Sequence, residues 1–288
     1  MTTLHAYGLD AVDVVLCDLD GVVWLSHIPI DGAVDAVTRI RDTGRRIVFV
    51  TNSSALTIAE HTAALARIGI EAPGDVLSSA SAVVDLVAPG ERVLVCGGNG
   101  IDEAVGRAGG VAIAGDDDDA VAVGVDLVIV GFHREFDYHR LQLATDAIRA
   151  GARFVATNRD PLYPSLPRPI PGSGAIVAAV STATGVDPVV TGKPSAAMAS
   201  TVVHLLQDGE GEVDVGAKVL MVGDMVSTDG AFAELLGCRF ALVRSGNTAP
   251  GEPVPERPAF DGADLAEVAD ALESSGPAPT RSGVVTRR

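Results

Sequence analysis

The sequence is poor in cysteine, patterned histidine and aromatic residues. Its three cysteines, Cys17, Cys96 and Cys238, lie in or beside apolar runs without the short paired spacing of a zinc or redox site, so we interpret them as buried thiols. The six histidines form no HxH or HExxH pattern, so any metal should be bound by oxygen. With aromatics at only 4%, the core must be filled by Ala, Val, Ile and Leu, as in strands covered by helices.

Positive charge and long apolar runs are also scarce. The formal net charge of -17 repels nucleic acid and anionic membrane surfaces, so neither is expected as a partner. No stretch approaches the roughly 20 apolar residues that span a bilayer, and no basic segment followed by an apolar run begins the sequence. These absences favour a cytoplasmic protein without a membrane partner.

Apolar runs alternate with amphipathic segments along the 288 residues, which are enough for two domains. The runs predict seven buried parallel strands, at 12–17, 46–50, 92–96, 126–130, 153–156, 218–222 and 239–243. Five helices are predicted, at 33–42, 58–67, 138–150, 195–206 and 228–236. This alternation predicts an α/β fold with a Rossmann-like, doubly wound parallel sheet. The segment 275–288 is rich in Pro, Gly, Ser and Arg, which predicts a disordered tail.

Two carboxylates follow the first predicted strand, where VDVVLC leads directly into Asp18, Leu19, Asp20 and Gly21. The carboxyl edge of an open α/β sheet is where ligands bind. One carboxylate there can attack phosphorus while the second protonates the leaving oxygen, and together they attract Mg²⁺. The alternative interpretation is an Asp-Gly turn whose aspartates cap loop N–H groups.

Small polar residues and a lysine follow other predicted strands. Thr51, Asn52 and Ser53 come after the second strand and can hold phosphate oxygens, although they can equally cap the next helix. Only two lysines, Lys193 and Lys218, occur among the 21 basic residues. Lys193 lies in the loop TGKP, where its ammonium can neutralise a phosphate and a nucleophile, or can be an exposed loop lysine.

A further pair of carboxylates follows the strand VLMVG, where Asp224 lies at the strand end and Asp229 five residues later. This placement suits an oxygen-ligated Mg²⁺ at the same sheet edge. Taken alone, Asp229 is also explained as an acid at a helix N-terminus, stabilised by the helix dipole.

Four motifs in this order, DLDGV, TNSS, TGKP and GDMVSTD, resemble those of the haloacid dehalogenase superfamily. The segments WLSHIPIDGA, ATNRDPLYP and PGSGAIVAAVSTATG resemble its subfamily IIA, the group of NagD-like, p-nitrophenyl and phosphoglycolate phosphatases. The resemblance implies that Asp18 is the nucleophile and a metal ligand. It also implies that Asp20 is the acid/base, with its backbone carbonyl on Mg²⁺, and that Asp224 is the third protein ligand.

The same resemblance implies phosphate binding by Thr51, Asn52 and Ser53, and a bridging role for Lys193 between phosphate and nucleophile. Asp229 would contact Lys193 or the groups that surround the metal, without being a ligand of the metal itself. Two departures from the family pattern leave details of the phosphate and cap contacts open. The family often has Asn where this chain has Ser53, and Gly where it has Ser26.

The family places a C2-type α/β cap between its second and third motifs. The resemblance therefore implies a core in two halves, 1–79 and 187–274, around a cap at 80–186. Four cap residues are candidates for substrate contact, although each could instead make a structural hydrogen bond: His133, Asn158, Arg159 and Asp160. Dimerisation through the cap is common in the families that this chain resembles.

The expected function is a Mg²⁺-dependent phosphatase that hydrolyses small phosphorylated metabolites through an aspartyl-phosphate. Glycerol phosphate and phosphoglycolate are the preferred candidates, and nucleotide monophosphates and sugar phosphates are the alternatives. A phosphotransferase would use the same residues, and a noncatalytic phosphometabolite-binding protein could have kept the same scaffold. A dehalogenase would need neither Asp20 nor Asp224.

Overall fold

Strands and helices alternate along the chain in the computed structural model, which describes residues 8–165, 167–207, 214–255 and 258–278. The strands are β1 (Val14–Cys17), β2 (Trp24–Leu25), β3 (Ile28–Pro29), β4 (Arg46–Thr51), β5 (Val76–Ser78), β6 (Arg92–Cys96), β7 (Val111–Ala114), β8 (Leu127–Val130), β9 (Arg153–Ala156), β10 (Leu162–Tyr163), β11 (Ile170–Pro171), β12 (Val189–Val190), β13 (Val219–Gly223), β14 (Arg239–Val243) and β15 (Phe260–Gly262). The helices are α1 (Ala33–Asp42), α2 (Ile58–Arg67), α3 (Asn99–Arg107), α4 (Asp118–Val123), α5 (Tyr138–Arg149), α6 (Ser173–Thr184), α7 (Ala196–Gln207), α8 (Val215–Lys218), α9 (Ala231–Leu236) and α10 (Leu265–Ser274). None of the helices in these residues combines the length and apolarity that crossing a membrane requires.

The first sheet contains six parallel strands in the order β15-β14-β13-β1-β4-β5. Its central strand, β1, is buried throughout, and Cys17 lies opposite Val222 of β13 and Phe49 of β4. Helices α1, α2 and α10 cover one face of the sheet, and α7 and α9 cover the other. Because both faces are covered, the central strands are continuous apolar runs.

The second sheet contains five parallel strands in the order β12-β9-β8-β6-β7. Helices α5 and α6 pack on one of its faces and α3 on the other. All strands of this sheet lie between Arg92 and Val190, inside the interval that separates β5 from β13. The two sheets confirm the predicted α/β class with parallel strands.

A short hairpin of β2 and β3 follows the first strand. Its two turn residues, Ser26 and His27, have φ values of 52° and 64°, the left-handed conformation that both positions of a type I′ hairpin turn require. The Ser26 hydroxyl donates a hydrogen bond to the Pro164 carbonyl at 3.4 Å. The hairpin therefore contacts the loop that follows β10.

The buried guanidinium of Arg45 anchors the end of the last helix. It donates hydrogen bonds to the carbonyls of Leu272 at 3.3 Å and Gly276 at 2.9 Å, and it is 2% exposed. The predicted disordered tail, 275–288, begins at this anchor, and residues 279–288 lie outside the described residues.

Candidate active site

Three neighbouring strands of the first sheet deliver polar side chains to one edge. Asp18 follows β1, Thr51 ends β4 and Asp224 follows β13, and all three are buried. The carboxyl ends of parallel strands meet at the same edge, which explains why residues so far apart in the chain come together. A pocket opens there, lined by both sheets' loops.

Three carboxylates form the centre of this site. Asp18, Asp224 and Asp229 each offer an oxygen atom within 4.8 Å of the others, and all three are buried. Burial raises the pKa of Asp18 well above its ordinary value, and Asp229 and Asp224 raise it further against the opposing effect of Lys193. Burial, followed by Asp229, likewise raises the pKa of Asp224 to about 7. This excess of buried oxygen ligands and negative charge fits a hard divalent cation such as Mg²⁺.

Asp224 is fixed by the chain that surrounds it. The backbone N–H of Asn247 and its side-chain amide both donate to Asp224 Oδ2, the latter at 2.9 Å. A Cβ atom on Gly21 or Gly246 would overlap the Asp224 carboxylate, so only glycine lets both backbones approach it. The orientation of this carboxylate is therefore set before any ligand binds.

Lys193 is the positive charge within the site. Its Nζ donates to Asp18 Oδ1 at 2.8 Å and to Asp229 Oδ1 at 2.7 Å, and its side chain is 1% exposed. Burial alone would lower the pKa of Lys193, but Asp18 and Asp229 together raise it above its ordinary value. The lysine is therefore a permanent cation that links the candidate nucleophile to a second carboxylate.

Thr51 ends β4, and Asn52 and Ser53 directly follow it. All three lie at the predicted sheet edge, but their environments differ. The backbone N–H of Ser53 donates to Thr51 Oγ1 at 3.0 Å, which leaves the Thr51 hydroxyl proton for another acceptor. All three residues of this run line the pocket. The side-chain amide of Asn52 is hydrogen-bonded within the protein, to Lys193 and Asp160.

Asp20 lies in the same pocket but outside the group of three carboxylates. The Tyr163 hydroxyl donates to Asp20 Oδ1 at 3.4 Å. Burial raises the pKa of Asp20 to about 7, against the opposing effects of the Trp24 indole and the Tyr163 hydroxyl. Asp20 and Asp18 thus have separate surroundings, as two carboxylates with different chemical tasks require.

The candidate substrate contacts from the second sheet divide into two pairs. Asn158 and Asp160 line the pocket, whereas His133 and Arg159 are not among the described residues that line it. Arg159 instead forms an ion pair with Asp187 at 2.9 Å. The Nδ1 atom of His133 accepts a hydrogen bond from its own loop.

Sequence reasoning missed several residues that line the pocket. Phe132 and Tyr163 stack with ring centroids 5.0 Å apart and form an aromatic wall. Phe132 directly precedes His133, and Tyr163 belongs to the segment ATNRDPLYP, so position near the candidate residues was the available signal. Asn247, which holds Asp224, lies in a loop whose sequence carries no comparable signal.

Comparison with known proteins agrees with the motifs. Residues 15–110 match the family described as haloacid dehalogenase-like hydrolase, and residues 190–268 match a second model of HAD-like hydrolases. The D-glycerol 3-phosphate phosphatase of Mycobacterium tuberculosis is 35% identical over 263 residues, which cover 88% of this chain and 70% of that protein. An acid sugar phosphatase of Staphylococcus aureus is 34% identical over 218 residues, which cover 74% of this chain and 79% of that protein.

Solved structures show the same fold. The p-nitrophenyl phosphatase from Archaeoglobus fulgidus superposes with a TM-score of 0.78 at 27% identity, over 90% of this chain and 99% of that chain. The glycerol phosphate phosphatase from Mycobacterium tuberculosis in complex with magnesium gives 0.78 at 32% identity, over 95% of this chain and 81% of that chain. The resemblance drawn from the four motifs is confirmed, and the chain belongs to the haloacid dehalogenase-like hydrolases.

Proposed function

We propose that this protein is a magnesium-dependent phosphatase that hydrolyses small phosphomonoesters through an aspartyl-phosphate on Asp18. The observation that carries the proposal is the contact of one buried lysine with both Asp18 and Asp229, beside a third carboxylate at the strand ends. Structural relatives with phosphatase activity in their names, one of them solved with magnesium, support this assignment.

The metal would be held by Asp18 and Asp224, with the backbone carbonyl of Asp20 as a further ligand and Asp229 behind them. When bound, Mg²⁺ reduces the repulsion between an anionic nucleophile and an anionic phosphate. The donor set fits this role, because three of these side chains offer oxygen atoms within 4.8 Å of one another.

Each protein group then has one task in the reaction. Thr51, Ser53 and Lys193 hold the phosphoryl oxygens, and a carboxylate oxygen of Asp18 attacks phosphorus in line with the leaving oxygen. As the bond from phosphorus to the leaving oxygen breaks, Asp20 transfers its proton to that oxygen. Asp20 then takes a proton from a water molecule whose oxygen attacks phosphorus. The bond from phosphorus to the Asp18 oxygen breaks, which releases inorganic phosphate and regenerates Asp18.

The pocket favours a neutral organic group on the substrate. Among the described residues that line it, five are aspartates and Lys193 is the single cation. Because Lys193 is already paired with Asp18 and Asp229, a second anionic group on the substrate would have no partner. Asp160 and Asn158 can instead bind hydroxyl groups. We therefore expect a polyol phosphate such as glycerol phosphate to be preferred to phosphoglycolate, consistent with the glycerol phosphate relatives.

The second sheet is the proposed cap, which would contribute this side of the pocket and exclude bulk water. The sequence predicts a cap at 80–186. We propose that the cap ends at Val190, because β12 pairs with β9 of the second sheet. A cytoplasmic location and a homodimer formed through the cap stay predictions.

The decisive experiment measures inorganic phosphate released from a panel of phosphomonoesters, with Mg²⁺ or with EDTA. We compare the wild type with Asp18→Asn and with the control Asp35→Asn, which changes an exposed aspartate on α1. Turnover should require Mg²⁺, vanish in Asp18→Asn and persist in the control.

Two results would count against the proposal. Full activity of Asp18→Asn would reject the nucleophile. If the ester is consumed and its phosphoryl group appears on an organic acceptor rather than as inorganic phosphate, the protein is a phosphotransferase.

A further inference from the structure

The side-chain amide of Asn52 is fully engaged inside the protein. Its Oδ1 accepts the backbone N–H of Lys193 at 2.7 Å, and its Nδ2 donates to the Lys193 carbonyl at 3.0 Å. The same Nδ2 donates its second hydrogen to Asp160 Oδ2 at 2.9 Å. Both amide hydrogens are therefore used. The amide oxygen pairs with the N–H of Lys193 and the amide nitrogen with its carbonyl, so one side chain satisfies both backbone groups of that residue.

This pairing fixes the backbone of the catalytic lysine. Lys193 lies in the loop between β12 and α7, outside regular secondary structure, so its N–H and carbonyl need partners from elsewhere. Asn52 supplies both, and from that backbone position Nζ reaches Asp18 and Asp229 within 2.8 Å. The packing is tight, because a Cβ on Gly192 would meet Asn52 Oδ1 at 2.6 Å.

Asn52 also fixes the loop that follows β9. The Asn158 side chain donates to the Asn52 carbonyl at 2.7 Å, and Asn158 Oδ1 accepts the backbone N–H of Asp160 at 3.0 Å. With the bond from Asn52 to Asp160, this gives the pocket wall two attachments to Asn52, the residue that directly follows β4. The lysine loop and the wall of the pocket thus share one anchor.

We propose that Asn52 is a positioning residue, whose side chain holds the Lys193 backbone and the loop 158–160 in place relative to Asp18. This inference rests on the proposed function. It separates Asn52 from Thr51 and Ser53, whose hydroxyl groups remain for phosphate. The prediction that Asn52 binds phosphate is then limited to its backbone N–H.

The test exchanges the two partners of one hydrogen bond. In Asn52→Asp, a carboxylate faces Asp160 and the Lys193 carbonyl without a donor, so we expect kcat to fall about a hundredfold, as for a catalytic group displaced by about 1 Å. The double variant Asn52→Asp/Asp160→Asn restores a donor and an acceptor between the two positions, but it leaves the Lys193 carbonyl without its donor, so we expect partial recovery. We expect it to recover at least about tenfold of kcat, since the two positions are coupled. Asp160→Asn alone keeps an acceptor for Asn52, so it measures what the change at position 160 contributes by itself.

The inhibition constant of inorganic phosphate distinguishes positioning from direct contact. If the Asn52 side chain contacted phosphate, a carboxylate at position 52 would repel it equally in the single and the double variant. Equal loss of phosphate affinity in both, with no recovery of kcat, would overturn the proposal. Recovery of both quantities in the double variant supports it.

Hydrogen exchange gives a second measurement that needs no turnover. In the substrate-free protein, the Lys193 amide should exchange faster in Asn52→Ser, which removes the oxygen that accepts its N–H, than in the wild type, whereas Ser53→Ala should leave it unchanged. Asn52→Ser adds no charge, so this measurement also stands if Asn52→Asp fails to fold. Unchanged exchange at Lys193 would refute the positioning role, whereas an inactive wild type would refute the proposed function and leave the exchange result valid.

Discussion

Replacing Lys193 with methionine tests the electrostatic design of the site. The substitution keeps an unbranched side chain of similar length and removes the charge that contacts Asp18 at 2.8 Å and Asp229 at 2.7 Å. Three buried carboxylates would then lie within 4.8 Å of one another without a positive side chain between them. We expect both activity and stability to fall in the absence of Mg²⁺.

The size of the stability loss follows from the burial of the pair. Removing one partner of a buried ion pair costs about 3–5 kcal/mol of unfolding free energy. Each kcal/mol lowers Tm by roughly 2–4 °C in a chain of about 150–250 residues, so we expect a loss of roughly 6–20 °C. Proton uptake by Asp18, whose pKa burial already raises, favours the lower end of that range.

Magnesium should reverse much of this loss. Because Lys193 no longer competes for the carboxylates, the variant should bind Mg²⁺ more tightly than the wild type, and the cation should raise its Tm by a larger amount. Thermal unfolding with EDTA and across a Mg²⁺ titration measures both quantities. Activity should stay low even with Mg²⁺, because the phosphate has lost its cationic ligand.

The chain contains a matched control in its second lysine. Lys218 pairs with Asp13 at 3.2 Å, but its side chain is 45% exposed, so Lys218→Met should change Tm by only a small amount. The Tm of Lys193→Met should lie further below that of the wild type with EDTA than with saturating Mg²⁺. An equal difference in Tm under both conditions would refute the electrostatic explanation. A loss no larger than that of Lys218→Met would do the same.

Two further predictions concern the groups around the carboxylates. A methyl group at Gly246 would overlap the Asp224 carboxylate, so Gly246→Ala should weaken Mg²⁺ binding about tenfold or more in a Mg²⁺ titration, whereas Gly106→Ala, where a Cβ meets nothing, should not. Tyr163→Phe removes the hydroxyl that donates to Asp20. Its kcat should fall roughly tenfold for alkyl phosphates but little for p-nitrophenyl phosphate, whose leaving group needs no proton; an equal loss on both substrates would reject this role.

The strands that sequence predicted share one physical property. All seven correspond to strands with a neighbour on each side, where burial on both faces produces continuous apolar runs. The four strands of the two large sheets that were not predicted are the edge strands β5, β7, β12 and β15. These edge strands are two to four residues long, and β7, β12 and β15 are partly exposed, so their conformation depends on pairing with a neighbour more than on their own composition.

The residues of the site differ in the same way, because those at the ends of central strands were easier to predict than those that lie elsewhere. Asp18, Thr51 and Asp224 could be found because each follows a predicted central strand, and the strand end fixes where the side chain lies. Tyr163 reaches the pocket from the two-residue strand β10 and Asn247 from the loop after β14, and only tertiary packing brings them there. The individual contacts of a loop residue are set by tertiary structure, which hydrophobic periodicity does not encode.

The charge distribution limits the substrates that this site can use. A chain of net charge -17 repels phosphorylated substrates at long range, so it gains no electrostatic steering toward them. Attraction must therefore come from contacts inside the pocket, where Lys193, the bound metal and backbone N–H groups act at short distance. Lys193 is largely neutralised by Asp18 and Asp229 until a phosphoryl group competes for it. A substrate with a single phosphate and a neutral remainder meets the least repulsion on entry, and the hydroxyl groups of a polyol can pair with the aspartate and asparagine that Asn52 holds in the wall.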